Sequence, residues 1–455
     1  MTGPTGTPVD HELARRAAEA VLDFDGADDV EVVVMGSRTG LTRYARSEII
    51  QNTVRSEVRA YVRVVTGAQV ATTVTTQLDA EHMRRAAASA LEAAQAARPD
   101  SEWPGLPSPD QVGSAEGLFR YDEATASAPP SVRADKVAGI LSAAEVTNAA
   151  GVFETSAHSF SVLSSAGMDC FDAHTRCVTT CLVDTGSATG WGEASSYAAG
   201  SVDAQAAARK ALAKATRSAS AEHATAGRYT VVLEPPAVAT LIEFLSYCGM
   251  GAKQVIEGES FLTGKQGKKV ASPAITVADD VWHEGSVGIG FDFEGVPKQR
   301  VAVIDGGVAT GPVTDWRTSR KLAVAATGHG SGSSEFGPYA SHLVLEAGED
   351  SFDDLIAGVD DGFVVTRFHY VNILDRPSTL LTGMTRDGTF RVRGGEPAEP
   401  VHNFRFAQGV LDALASVTGV GRDVSAFAPD YGSFGCTVAP ALRIEDFNFA
   451  STTSH

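Results

Sequence analysis

The chain has 455 residues, 43% of them hydrophobic and 20% charged, which is ordinary for a folded protein and too long for one simple core. Its formal net charge of -19, from 37 basic against 56 acidic residues, repels nucleic acid and anionic membrane surfaces. No stretch reaches the roughly 18 apolar residues of a membrane span, and the N-terminus lacks a basic-then-apolar leader pattern. The five cysteines follow no C-x-x-C spacing. A cytoplasmic protein is expected, with reduced, buried cysteines, no nucleic-acid partner and no membrane partner.

In chain order, Asp10 caps a first helix, HELARRAAEAVL. A strand, VEVVVM, runs from Val30 to Met35. Val58, Ala60, Val62 and Val64 alternate with Arg59, Tyr61 and Arg63, the period of a half-buried strand, and the turn TGAQ returns VATTVTT as its hairpin partner. Asp79 caps an Ala-rich helix that Pro99 ends. WPGLPSPD, Trp103 to Asp110, reads as a long surface loop. A further helix follows Ser131, with Val137, Ile140, Leu141 and Ala144 on one face.

Two β-rich segments come next, FETSAHSFSVLSS and CFDAHTRCVTTCLVDTG. Cys177 and Cys181 point the same way in such a strand, as a core pair rather than a metal site. A helix from Asp203 to Ser220 closes the first half. The second half carries short strands between Gly, Asp and Pro, with few helices. The prediction is an α+β protein of two domains. Residues 1–224 form an α/β unit of antiparallel strands and helices, and residues 225–455 a β-rich unit.

EGESFLTGKQGKKVASPAITVADD, Glu257 to Asp280, holds two Gly-Lys steps and invites comparison with a phosphate-binding loop. Five residues, not four, separate Gly258 from Gly264-Lys265, and Gln266 stands where a magnesium-binding hydroxyl is needed. A helix beginning at Pro235-Pro236 precedes the stretch and a strand follows it, the reverse of the required order. Nucleotide binding is excluded here.

Four stretches in order carry a resemblance. They are RYARSEIIQNTVRSEVRAYVRVVTGAQVATTVTTQLD; EPPAVATLIEFL with EGESFLTGKQGKKVASPAITVADD; GVPKQRVAVIDGGVATGPVTDWRTSRKL; and FHYVNILDRPSTLLTGMTRDGTFRVRGGEPAEPVHNFRF. Together they resemble the TldD/PmbA family of peptidase-related proteins, and TGMTRDGTF with NFRF is similar to its PmbA (TldE) branch. The resemblance implies two domains and an assembly of two subunits around an internal chamber. It also implies that catalytic, TldD-type members bind a zinc-type metal through His-Glu-x-x-x-His, on the helix before the Gly-Lys stretch, and a distal cysteine.

The corresponding helix here, TLIEFLSYCGM, has no histidine. Glu243 remains and reads as a solvated helix residue. Cys248 is not the distal ligand, and Cys436 stands too close to Pro440 to match it. His-Glu occurs at His11 and His283 without a second histidine at helical spacing, and GSGSS at Gly330 to Ser334 is no nucleophile elbow. No catalytic residue, metal ligand or cofactor is therefore assigned to this chain. The resemblance puts His329 and His342 in a substrate-facing loop. Tyr370 is the third substrate-facing candidate, although its strand, FHYVN, favours a packed role over a catalytic one.

The expectation is a metal-free subunit that completes the chamber for a TldD-type catalytic partner holding zinc and acting on unfolded or short peptides, including in the maturation of ribosomally made peptides. The alternatives are a self-sufficient homodimeric peptidase with an atypical site, or a non-enzymatic regulatory or binding protein.

Overall fold

A computed structural model describes residues 4–144, 148–429 and 434–453. Its first half is built on one antiparallel sheet. The strands are β1 (Asp29–Ala45), β2 (Glu48–Thr66), β3 (Gln69–Thr75), β4 (Ala149–Ser164), β5 (Asp169–Asp184) and β6 (Thr189–Ser196), in the order β3-β2-β1-β4-β5-β6. The helices are α1 (His11–Glu19), α2 (Ala80–Ala96), α3 (Pro109–Val112), α4 (Glu123–Ser127), α5 (Pro130–Ala144) and α6 (Ala204–Arg217).

Sequence chemistry accounts for the starts of three of these helices. Asp10, Asp79 and Asp203 each accept from a backbone N–H in the first turn, as N-caps do. The strands run further than alternation marked them. β1 continues to Ala45, turns through Arg46 and Ser47 at positive φ, and returns as β2. The outer half of β2, from Glu48 to Ser56, is exposed throughout, so no apolar face signals it. α3 interrupts the loop after Trp103.

One face of the sheet is covered by helices. Val30, Val32 and Val34 pack with Ala60, Val62 and Val64 beneath α1 and α2, and Phe153, Cys177, Cys181 and Val183 pack beneath α5 and α6. On the other face, Val33, Phe160 and Val162 meet Ile289 and Phe291 of the second half. The carboxylate of Asp172 on β5 accepts from Gly290 N at 2.7 Å across the same boundary. The two domains thus share an apolar seam and a buried polar contact.

The second half adds β7 (Gly227–Leu233), β8 (Val277–Asp279), β9 (Val301–Asp305), β10 (Val308–Ala309), β11 (His342–Leu345), β12 (Asp361–Asp375), β13 (Leu380–Arg393), β14 (Glu396–Pro400), β15 (Phe404–Gly409), β16 (Val417–Phe427) and β17 (Cys436–Thr452). The path β10-β9-β8-β11-β17-β15-β13-β12-β7 is closed by a β7–β17 pairing, while β14 pairs with β13 and β16 with β17. A ring cluster fills this sheet: Phe404 stacks on Phe449 at 4.4 Å, and Phe363 meets Phe404 edge-on at 5.0 Å. The helices are α7 (Pro235–Tyr247), α8 (Ala252–Glu257), α9 (Trp316–Leu322), α10 (Phe352–Ala357) and α11 (Val410–Ala415).

α7 positions the site. Pro235 and Pro236 occupy its first turn, where a missing N–H costs nothing. Val238, Leu241, Ile242 and Leu245 bury it in the core of the second half. The Gly-Lys stretch that follows is a series of turns, with Gly258, Gly264 and Gly267 in left-handed backbone. Gly258 terminates α8 as its C-cap.

Candidate functional site

A cleft opens where α7 faces the first domain. Two adjoining cavities of about 330 and 290 Å³ share Trp191, Glu193, Pro236 and Phe427 in their walls. β6 supplies Trp191 and Glu193, α7 supplies Thr240 and Glu243, and β12 supplies Arg367 and Tyr370. Strand alternation sends Trp191 and Glu193 to the same side of β6. Helical spacing does the same for Pro236, Thr240 and Glu243.

Glu243 departs from the sequence expectation of a solvated residue. It is 6% exposed, on a helix packed against β12 and β17, and it faces Trp191 and Glu193 of β6 across the cavity. Its Oε1 accepts from the Tyr247 hydroxyl at 2.7 Å. Burial pushes the Tyr247 phenol far above its ordinary value, so it remains a protonated donor. Tyr247 also stacks on Tyr339, ring centroids 5.9 Å apart and 10° from parallel.

With Glu243 at the glutamate of His-Glu-x-x-x-His, the two histidine positions fall on Ile242 and Tyr247. Ile242 has no donor atom and is fully buried, and the Tyr247 hydroxyl is engaged by Glu243. These side chains do not fit a zinc centre. Among the described residues, no group of three or more His, Cys, Asp or Glu is arranged to hold a metal ion.

The three substrate-facing candidates part company. His329 and His342 are each 2% exposed, and neither borders the cleft. Both turn inward to Asp279 on β8. His329 Nε2 lies 3.0 Å from Asp279 Oδ1, and the backbone N–H groups of Ser341 and His342 donate to Oδ2 at 2.6 and 2.9 Å. Burial alone would raise the Asp279 carboxyl; the charges of His329 and Lys298 outweigh it and hold it well below the usual carboxylate range. This is a packing hub beneath the loops. The resemblance placed both histidines in a substrate-facing loop; in the structure their side chains turn to Asp279.

Tyr370 stands on the cleft wall and is 70% exposed. It sits at a register shift between His369 and Asn372, with φ 52°, which turns its ring out of the β12–β13 ladder.

Sequence reasoning passed over Trp191, Glu193 and Arg367. The Arg367 guanidinium lies over the Trp191 ring, 4.0 Å from its centroid, and ion-pairs with buried Asp387. No local signal marked them: Asp387 stands in a strand that also carries Arg386, Arg391 and Arg393, so its carboxylate does not stand out.

Residues 226–451 match the family model described as PmbA/TldA metallopeptidase C-terminal domain. A metalloprotease of Methanothermobacter thermautotrophicus is 30% identical over 217 residues, 47% of each chain. A TldD homolog of Haemophilus influenzae is 33% identical over 165 residues, 35% of this chain and 34% of that one. Metalloprotease PmbA of Escherichia coli O157:H7 is 26% identical over 174 residues, 37% and 36% of the two chains. The chain thus spans about half or less of the length of these relatives.

The crystal structure of TldE from Thermococcus kodakarensis superposes with a TM-score of 0.83 at 21% identity, covering 96% of this chain and 98% of that one. A protein of Thermotoga maritima titled a putative modulator of DNA gyrase gives 0.82 at 20% identity, covering 96% and 99%. These two likenesses carry the fold. On the family match and the named relatives, the chain belongs to the PmbA/TldD family.

Proposed function

We propose that this chain is the metal-free, TldE/PmbA-type subunit of a two-subunit metallopeptidase. In this reading a TldD-type partner holds zinc and performs hydrolysis, and this chain completes the chamber and binds unfolded or short peptides. The observation that carries the reading is the Glu243–Tyr247 pair. The carboxylate that could serve a metal-bound water is capped by a phenol, and the neighbouring position offers only Ile242.

The chemistry left to this chain is binding. The cleft combines aromatic walls with a few polar groups, the composition of a ligand site. The partner would supply the nucleophile. Co-expression with a TldD-type chain, followed by size analysis, tests the assembly. A one-to-one complex is expected, and a stable assembly of this chain alone that cleaves peptides would refute it.

A further inference from the structure

The stretch Thr382 to Phe390, TGMTRDGTF, has no part in a metal centre, yet it holds a buried carboxylate directly behind Arg367 of the cleft wall. Asp387 is 2% exposed and sits in left-handed backbone at φ 58°. Gly388 follows at φ 126°, and a β-carbon there would come within 2.8 Å of Thr366 Oγ1. Only glycine fits, and the resulting turn points Asp387 inward.

Asp387 is held from both domains. Its Oδ2 accepts from Arg367 Nε at 2.6 Å, with Arg367 Nη2 at 2.5 Å, and its Oδ1 accepts from Thr189 Oγ1 at 2.6 Å. Thr189 and Trp191 both belong to β6, so one strand supports the carboxylate and stacks on the guanidinium. Arg367 is thereby fixed along one edge and one face. Its Nη1 has no hydrogen-bond partner among the described residues and is not sealed from solvent, and Arg367 lines the cleft.

We propose that Arg367 is a peptide-binding residue, held by Asp387 and Trp191 so that Nη1 donates to a main-chain carbonyl oxygen of a peptide in the cleft. Asp387 is the positioning residue. A guanidinium already immobilised loses little further freedom on binding, so the hydrogen bond is made at low entropic cost. The surrounding charge decides between acceptors. Asp387 pairs with the cation, and Glu193 and Glu243 share the cavity, which favours a neutral carbonyl over a carboxylate. The proposal rests on the reading of this chain as a peptide-binding subunit.

The test uses the full chain and a fluorescein-labelled, N-acetylated, C-amidated octapeptide of alternating glycine and alanine. Its ester-substituted versions each replace one amide and so weaken one carbonyl acceptor. By fluorescence anisotropy, one ester position should weaken binding to the native chain roughly tenfold. The same ester should make no difference to R367Q, an intermediate difference to R367K, and little to D387N. Peptide binding should also shift tryptophan emission in the native chain and not in W191F.

Equal ester penalties in the native chain and R367Q would overturn the proposal, as would failure of the native chain to bind the peptide. A free C-terminal acid that binds more tightly than the amide, and loses that advantage in R367Q, would overturn the carbonyl assignment in favour of a carboxylate. Hydrolysis is not read, so the outcome is independent of whether a catalytic partner exists.

Discussion

The hydroxyl of Tyr247 donates to Oε1 of Glu243 at 2.7 Å, one turn away on the same helix. A carboxylate facing a cleft at this place in the family would be the natural general base; here it is a hydrogen-bond acceptor for a phenol. In a complex with a TldD-type partner, E243Q should leave kcat within about threefold. A fall of roughly 100-fold or more, the mark of a lost general base, would assign catalysis to this chain. Y247F should lower stability by about 1 kcal/mol, the worth of one hydrogen bond, measured by urea unfolding.

Asp279 supports His329 and two backbone N–H groups from full burial. Replacing it with asparagine leaves Lys298 and the N–H donors poorly matched in a dry interior. D279N should cost about 3–5 kcal/mol, seen as a lower urea midpoint with an unchanged slope. A loss below about 1 kcal/mol would show that the hub is not a structural ion centre.

His174 packs against His158 with ring centroids 4.9 Å apart, and neither His174 nitrogen has a hydrogen-bond partner among the described residues. Burial holds His158 down to about 4 and His342 to about 3, and keeps His174 well below its ordinary value. An unfolded histidine titrates near 6.5, so between about pH 6.5 and 4 the unfolded chain binds protons that the folded chain refuses. Each such group lowers stability as pH falls, by about 1.4 kcal/mol per pH unit. Asp172, pushed up to about 6 by burial, and Asp292, also raised by burial, act in the opposite sense.

H174F isolates one term. It should be no less stable than the native chain at pH 8, because an apolar ring replaces two unpartnered nitrogens, and its stability should fall less steeply between pH 6 and 5. An unchanged slope in urea titrations would mean that His174 is protonated in the fold.

Gly192 lets β6 approach α6. A β-carbon there would lie 1.9 Å from Ala207 O, a backbone atom that can move only with the helix. G192A should destabilise by about 1–3 kcal/mol and shift the Trp191 wall of the cleft. Thermal unfolding at native stability would contradict the close approach.

Periodicity and caps made much of the fold legible. The alternation of Val58 to Val65, the Asp10 and Asp79 caps, and the apolar stripe on α7 all rest on local chemistry that survives in the structure. The outer half of β2 was not legible, because a strand exposed on both faces has no alternation to show. The site was less legible still. Glu243 looked solvated because the strands that pack on its helix lie far away in sequence, and His329, placed in a substrate-facing loop by resemblance, meets Asp279 only through tertiary packing. Arg367 carried no local signal at all; Asp387 and Trp191 give it meaning only when β6, β12 and β13 come together.

Peptide cleavage by the reconstituted pair tests the proposed division of labour most directly. The motif histidines of the TldD-type partner are changed in one sample, and Glu243 and His329 of this chain in another. The first change should abolish cleavage and the second should leave turnover within about threefold, since removing a metal or general base costs far more. Cleavage that survives the first change, or is lost with Glu243 in a folded variant, would contradict that division.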